Sequence, residues 1–186
     1  MAEVGTRHPF VVHVAKLRRS PGTRWNERRQ GSIEGLELAD VAVPEGAAPV
    51  ADVVLESVLG GVSVTGTVTA PWAGECRRCL APASGVLELK VRELYTEEGD
   101  GDETYPLVDD AVDLEPLVRD AVLLELPLAP LCRVECLGLC PTCGVNRNDE
   151  TCGCEAPSDP RWRALDVLRV PEPRAETESS RSSGPR

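Results

Sequence analysis

Val50-Ala-Asp-Val-Val-Leu-Glu-Ser-Val-Leu59, then Gly60-Gly61, then Val62-Ser-Val-Thr-Gly-Thr-Val-Thr-Ala70 is the stretch that decides the fold. Two β-rich runs flank a diglycine, and in the second run Val62, Val64, Gly66 and Val68 alternate with Ser63, Thr65, Thr67 and Thr69. Alternation of period two puts successive side chains on opposite faces of a strand, and a two-residue glycine loop between such runs signals a hairpin. The stretch predicts a hairpin turning at Gly60-Gly61, its second strand ended by Pro71-Trp72. A third run, Gly85 to Tyr95, extends it into an antiparallel meander. Between the second and third runs lies Cys76-Arg-Arg-Cys79-Leu80, so a cysteine pair caps a strand end.

Working outward, Phe10-Val-Val-His-Val14 alternates and reads as a first strand with Phe10, Val12 and Val14 inward and His13 outward. Residues 16–32 combine turn formers with bases and have no apolar period, so they read as a flexible basic arm or loop. Residues 96–104 read as a solvated acidic connection. Leu114, Leu117, Val118, Ala121 and Val122 fall at helical spacing, which predicts a helix over 113–126, with Asp113 as cap, Pro116 in the first turn and Pro127 as terminator. A short second helix opens at Asp159-Pro160. The expected fold is α+β: an antiparallel β-meander or partly open barrel with one long helix, a C-terminal zinc-binding segment and a short terminal helix. Its divisions are a flexible N-terminus at 1–8, a β-rich domain at 9–129, a cysteine-rich segment with the short helix at 130–170, and a disordered tail at 171–186.

The eight cysteines form four tight pairs, Cys76/Cys79, Cys132/Cys136, Cys140/Cys143 and Cys152/Cys154. Spacings of one to three residues let two sulfurs converge on one point, as a tetrahedral Zn²⁺ requires. In Cys140-Pro-Thr-Cys143-Gly144 the backbone N–H groups can face the first thiolate, and the glycine permits the positive φ of a tight turn. Disulfides are the competing reading for an even cysteine count. The opening residues, with only the short apolar run Phe10 to Val14, do not read as a signal peptide and no run is long enough to span a bilayer, so a cytoplasmic, reducing setting is expected and zinc is preferred. Loop length groups Cys140, Cys143, Cys152 and Cys154 at one site and Cys76, Cys79, Cys132 and Cys136 at the other. The alternative joins Cys132 and Cys136 to Cys140 and Cys143. On local loop length alone, Cys140 is expected to matter more to stability than Cys76.

Charge is unevenly distributed over the 186 residues, whose net charge is −11. Residues 7–29 carry seven bases against Glu27, whereas residues 30–160 carry seven bases against twenty-five acids. Lys16, Arg18, Arg19, Arg24, Arg28 and Arg29, with Arg77 and Arg78 of the first knuckle, are candidates for contacts to RNA phosphates. Alternatively the arm lies on the acidic body and neutralises it, and Arg77 and Arg78 offset thiolate charge. No HExxH, GxSxG, P-loop or dinucleotide fingerprint is present, so no catalytic residue and no small-molecule substrate is assigned.

Cys76-Arg-Arg-Cys79-Leu80, the helix from Asp113 running on to Cys132, Cys136-Leu-Gly-Leu-Cys-Pro-Thr-Cys-Gly-Val-Asn146, Cys152-Gly-Cys154 and Asp159-Pro-Arg-Trp162 occur in an order that resembles the YceD family, the large ribosomal RNA subunit accumulation proteins. The likeness covers roughly residues 10–169. It implies a non-enzymatic factor in large-subunit ribosomal RNA accumulation or processing and ribosome assembly, with precursor ribosomal RNA or a ribosomal protein as partner and no membrane. The other class of function is a zinc-dependent protein-interaction or thiol-redox regulatory module without RNA contact.

Overall fold

The computed structural model describes residues 8–99, 103–155, 160, 161 and 165. Among these the chain forms β1 (Val11–His13), α1 (Ala15–Arg18), β2 (Arg24–Gln30), β3 (Glu37–Leu38), β4 (Val41–Ala42), β5 (Val50–Val58), β6 (Gly61–Glu75), β7 (Pro82–Thr96), β8 (Tyr105–Val108), β9 (Ala111–Asp113) and α2 (Glu115–Glu125). The strands make a curled half-barrel sheet. Its path runs β1-β9-β8-β7-β6-β4-β3, with β5 also on β6 and β2 on β5.

The meander is present, built on the long antiparallel ladders of β5 with β6 and β6 with β7. Its turn is one residue earlier than expected, at Leu59-Gly60, with Val58 opposite Gly61. Gly60 supplies the left-handed residue, φ +86°. Gly61 serves packing, since a Cβ there would lie 2.0 Å from the Tyr95 carbonyl oxygen. Pro71 and Trp72 do not end the second strand, which continues to Glu75. β6 leaves β5 after Thr69 and meets β4 only at Ala73, so Pro71 falls where one side of the strand has no ladder partner. A residue without an N–H is tolerated in such a place.

The basic stretch 16–32 is not a flexible loop. It holds all but the first residue of α1 and the seven-residue strand β2, paired with β5 over its whole length. The apolar period is missing because β2 is an edge strand whose half-buried face carries Trp25, Glu27 and Arg29 and whose exposed face carries Arg24, Asn26, Arg28 and Gln30. Its pairing is reinforced across the ladder, where Arg24 opposes Glu56 and Arg28 opposes Asp52. Oppositely charged cross-strand pairs of this kind contribute modestly but fix register.

Phe10, Val12 and Val14 are buried and His13 is exposed, as the alternation of β1 requires. The helix spans Glu115–Glu125, within the expected bounds, and buries Leu117, Val118 and Val122. The Asp113 carboxylate accepts the Glu115 N–H at 3.0 Å, satisfying one of the donors that a helix start leaves open. Of the expected terminal helix only Pro160, Arg161 and Leu165 are described, with 3₁₀ backbone, and the tail at 171–186 lies outside the described residues.

Both tyrosines tie the β7–β8 pair to the segment around α2. The buried Tyr95 hydroxyl donates to the Asp113 carbonyl at 2.9 Å, its ring stacks on Tyr105 at 5.2 Å, and the Tyr105 hydroxyl donates to Asp120 at 2.8 Å. Burial, then the neighbouring phenol and carboxylates, pushes the Tyr95 hydroxyl well above its ordinary range, and burial with Asp120 does the same to Tyr105. A phenol whose folded pKa is raised leaves stability intact below the unfolded value of about 10 and drains it above that pH. Tyrosinate absorbance at 295 nm is therefore expected to rise only together with alkaline unfolding, and a normal titration in folded protein would contradict this packing.

Candidate metal centre

β6 ends in the turn that carries Cys76 and Cys79. The Cys76 N–H donates to the Ala81 carbonyl and the Leu80 N–H to the Cys76 carbonyl, both at 2.8 Å, after which β7 departs. The chain leaving α2 is tied to the same turn. The Arg77 N–H donates to Pro130 O at 2.9 Å and its guanidinium to Leu128 O at 3.2 Å, while Arg78 donates from its guanidinium to Cys136 O at 2.9 Å. The Leu139 N–H returns to Arg78 O at 2.9 Å. These staples bring Cys132 and Cys136 onto Cys76 and Cys79. The Sγ atoms lie 3.5 Å apart for Cys79 and Cys132 and 3.7 Å for Cys76 and Cys136, and all four lie within 4.8 Å of one another. Trp72, Ala81, Ala83, Leu131 and Leu139 form an apolar shell around them.

The second group lies on a small hairpin. Leu139 bridges Asn146, the Cys140 N–H donates to Val145 O at 2.8 Å, and the Gly144 N–H to Cys140 O at 2.9 Å. Gly144 takes φ +75°, the conformation its place after Cys143 requires. Cys140, Cys143, Cys152 and Cys154 come together with their sulfurs within 4.8 Å. The grouping is the one expected from loop length, and the alternative joining Cys132 and Cys136 to Cys140 and Cys143 is not formed. The two tetrads differ in depth. Cys76, Cys79 and Cys136 are buried in the first, whereas in the second only Cys140 is, with Cys143 and Cys154 exposed.

The electrostatics of each tetrad suit a bound cation, which its four sulfurs could hold. Burial opposes ionisation of Cys76, yet the N–H groups of Cys132, Arg78 and Cys79 outweigh it and draw the thiol down to about 6. The N–H groups of Cys143 and Thr142 draw Cys140 to about 6 as well. Their neighbours go the other way. Burial and the adjacent sulfurs push Cys132 up to about 12, and Cys143 with burial pushes Cys154 to about 12. Four thiolates cannot share so small a space without positive charge between them. The donor set fits zinc: the short sulfur separations approach the edge of about 3.8 Å expected for a tetrahedron with Zn–S of about 2.3 Å, and they far exceed the disulfide length of about 2.05 Å.

Two residues that the sequence reading passed over belong to the site. Asn148, from the loop between Cys143 and Cys152, donates its amide to Cys136 Sγ of the other tetrad at 3.3 Å and accepts the Leu137 N–H at 2.8 Å. Asn146 orients it by accepting the Asn148 side-chain amide at 2.7 Å. Burial works against the Cys136 thiolate, but the Asn148 amide and the Gly138 N–H lower its pKa nonetheless. Two asparagines spaced by two were the available signal.

Six of the eight basic candidates are engaged within the chain. Arg18 pairs with Asp110 and Glu97, Arg24 with Glu56 at 3.0 Å, Arg28 with Asp52 at 2.8 Å and Arg29 with Glu27 at 2.8 Å. Arg77 and Arg78 donate to backbone carbonyls. Lys16 and Arg19 are exposed. His8 joins neither tetrad and lies 2.6 Å from Glu115.

Comparison with known proteins agrees with this geometry. The family model for the large ribosomal RNA subunit accumulation protein YceD matches residues 64–169, a span that includes all eight cysteines. An uncharacterized protein of Mycobacterium tuberculosis is 41% identical over 174 residues, covering 88% of this chain and 83% of the relative. One of Mycobacterium leprae is 35% identical over 187 residues, covering 94% and 85%. A chloroplastic large ribosomal RNA subunit accumulation protein YCED homolog of Zea mays is 38% identical over 52 residues, 27% of this chain and 18% of its own. No solved structure matches significantly.

Proposed function

The chain belongs to the YceD family of large ribosomal RNA subunit accumulation proteins, and from that premise we propose that it is a non-enzymatic, zinc-clipped factor supporting large-subunit ribosomal RNA accumulation by engaging a ribosome-assembly intermediate. The observation that carries this reading is the coincidence of the matched span with both cysteine tetrads. Cys76, Cys79, Cys132 and Cys136 would hold one Zn²⁺, and Cys140, Cys143, Cys152 and Cys154 a second. With four sulfurs each, zinc supplies closed structural cross-links and no open position for substrate. The work of the site is then mechanical: the first tetrad fastens the segment after α2 to the hairpin end, and the second fixes the hairpin beyond it. No helix among the described residues is long and apolar enough to cross a membrane, and the reading places the protein in the cytoplasm.

Salt bridges within the chain favour a protein over naked RNA as the partner of the basic stretch 16–32, because four of its six bases already face carboxylates. The protein is expected to co-sediment with precursor large subunits at low salt, and its depletion to lower large-subunit ribosomal RNA relative to small-subunit RNA. Absence of both effects would overturn the function. Changing Arg24 and Arg28 together to Gln is expected to lower stability by about 0.2–1 kcal/mol per exposed pair and to leave the salt slope of association unchanged. A slope flattened by roughly 0.7–0.9 per residue would instead assign those side chains to RNA phosphates.

A further inference from the structure

Cys76 to Leu80 and Cys140 to Gly144 close the same kind of turn, and they differ at the residue that becomes left-handed. Gly144 has φ +75° and Leu80 has φ +61°. A leucine is disfavoured there by its Cβ, and at 61% exposure no packing inside the molecule compensates. Backbone outliers of this kind concentrate at functional sites.

Leu80 also has company. It lines a cavity of about 200 Å³ with Leu38 and Leu128, which are 40% and 71% exposed, above Val41 and Pro130. The surface is rigid, because Arg77 bonds from its N–H to Pro130 and from its guanidinium to Leu128, directly beside the first tetrad. Asp40 and Glu75 stand on the rim, and neither has an ion-pair partner among the described residues. With Arg77 also in the lining, the two carboxylates leave the cavity a net negative charge around preformed apolar ground.

We infer that this surface docks a protein segment presenting an apolar anchor side chain next to a lysine or arginine. Phosphates of a nucleic acid would meet two carboxylates against a single base among the described residues of the lining, Arg77, whose guanidinium already donates to the Leu128 carbonyl, which makes RNA the less favourable occupant. The inference rests on the proposed assembly role and names its partner class as a basic protein segment of the intermediate.

Two variants of the full chain, loaded with zinc, test it by co-sedimentation with precursor large subunits. Leu80→Gly removes the anchor contact and the left-handed leucine together. It is expected to reduce association at least tenfold while metal content stays at the wild-type value and the melting temperature is unchanged or higher. The double variant Asp40→Asn, Glu75→Gln is expected to weaken association as well. Wild-type association of Leu80→Gly overturns the surface and leaves the assembly role standing, and a lower melting temperature or lost zinc makes Leu80 a structural residue and overturns it too. Tighter association of the double variant identifies a polyanion as the occupant, against the inference. Failure of the wild-type protein to co-sediment removes the assembly role and the docking surface with it.

Discussion

Cys76→Ser is expected to destabilise the molecule more than Cys140→Ser, although local loop length alone suggests the opposite order. Cys76 is fully buried, against an apolar shell, and its tetrad joins the β6–β7 turn to a segment that follows α2. The loop from Cys79 to Cys132 encloses 52 residues, against eight between Cys143 and Cys152. Each doubling of a loop adds about 0.6 kcal/mol to its closure entropy, so a cross-link there restrains the unfolded chain more. Losing the first clip also frees residues 130–155, whose own apolar content is small. Structural metal is folding energy in such segments. In thermal unfolding with zinc counted in parallel, Cys76→Ser is expected to lower the melting temperature by on the order of 10 °C, with protease cleavage beyond Pro130 appearing first. Cys140→Ser should lose metal from the exposed tetrad and leave the sheet within a few degrees of the wild type, roughly the shift that one kcal/mol produces at this size. A larger fall for Cys140→Ser would show that the distal hairpin, and not the junction with the sheet, holds the fold together.

The elements legible in the sequence are those whose side chains divide between inside and outside. Val62 to Thr69 and Phe10 to Val14 alternate because one face of each strand meets the core, and Leu117, Val118 and Val122 mark a helix for the same reason. β2 was illegible because an edge strand with Arg24, Arg28 and Gln30 facing water carries no apolar period, and its partners are decided by β5. β3, β4, β8 and β9 span two to four residues, too few for any period to register. Pro71 misled because the ladder gap that accommodates it is a property of the whole sheet. The partition of the cysteines was legible, since short spacings restrict which sulfurs can meet. Asn148 was not, because asparagine in a turn is ordinarily read as a turn former, and its bond to Cys136 depends on how the two tetrads pack.

That bond is the basis of the remaining large effect. Asn148 lies in the loop enclosed by the second tetrad and donates to a sulfur of the first, so closing the second site orders a group that supports the first. Partners that orient metal ligands are typically worth 10–100-fold in metal affinity. Asn148→Ala is accordingly expected to weaken zinc binding at Cys76, Cys79, Cys132 and Cys136 by about that factor, although the residue is no ligand. Asn148→Asp should be worse: it keeps an acceptor for the Leu137 N–H but sets a carboxylate against the Cys136 thiolate. Competition with a chromophoric chelator, resolving two binding steps, measures both variants. Coupling between sites is reciprocal in free energy, so emptying the second tetrad through Cys154→Ser should loosen the first by a similar factor and add little to Asn148→Ala. Additive losses would mean that the two tetrads act independently, and an Asn148→Ala protein with an unchanged first site would reduce the amide to a turn contact.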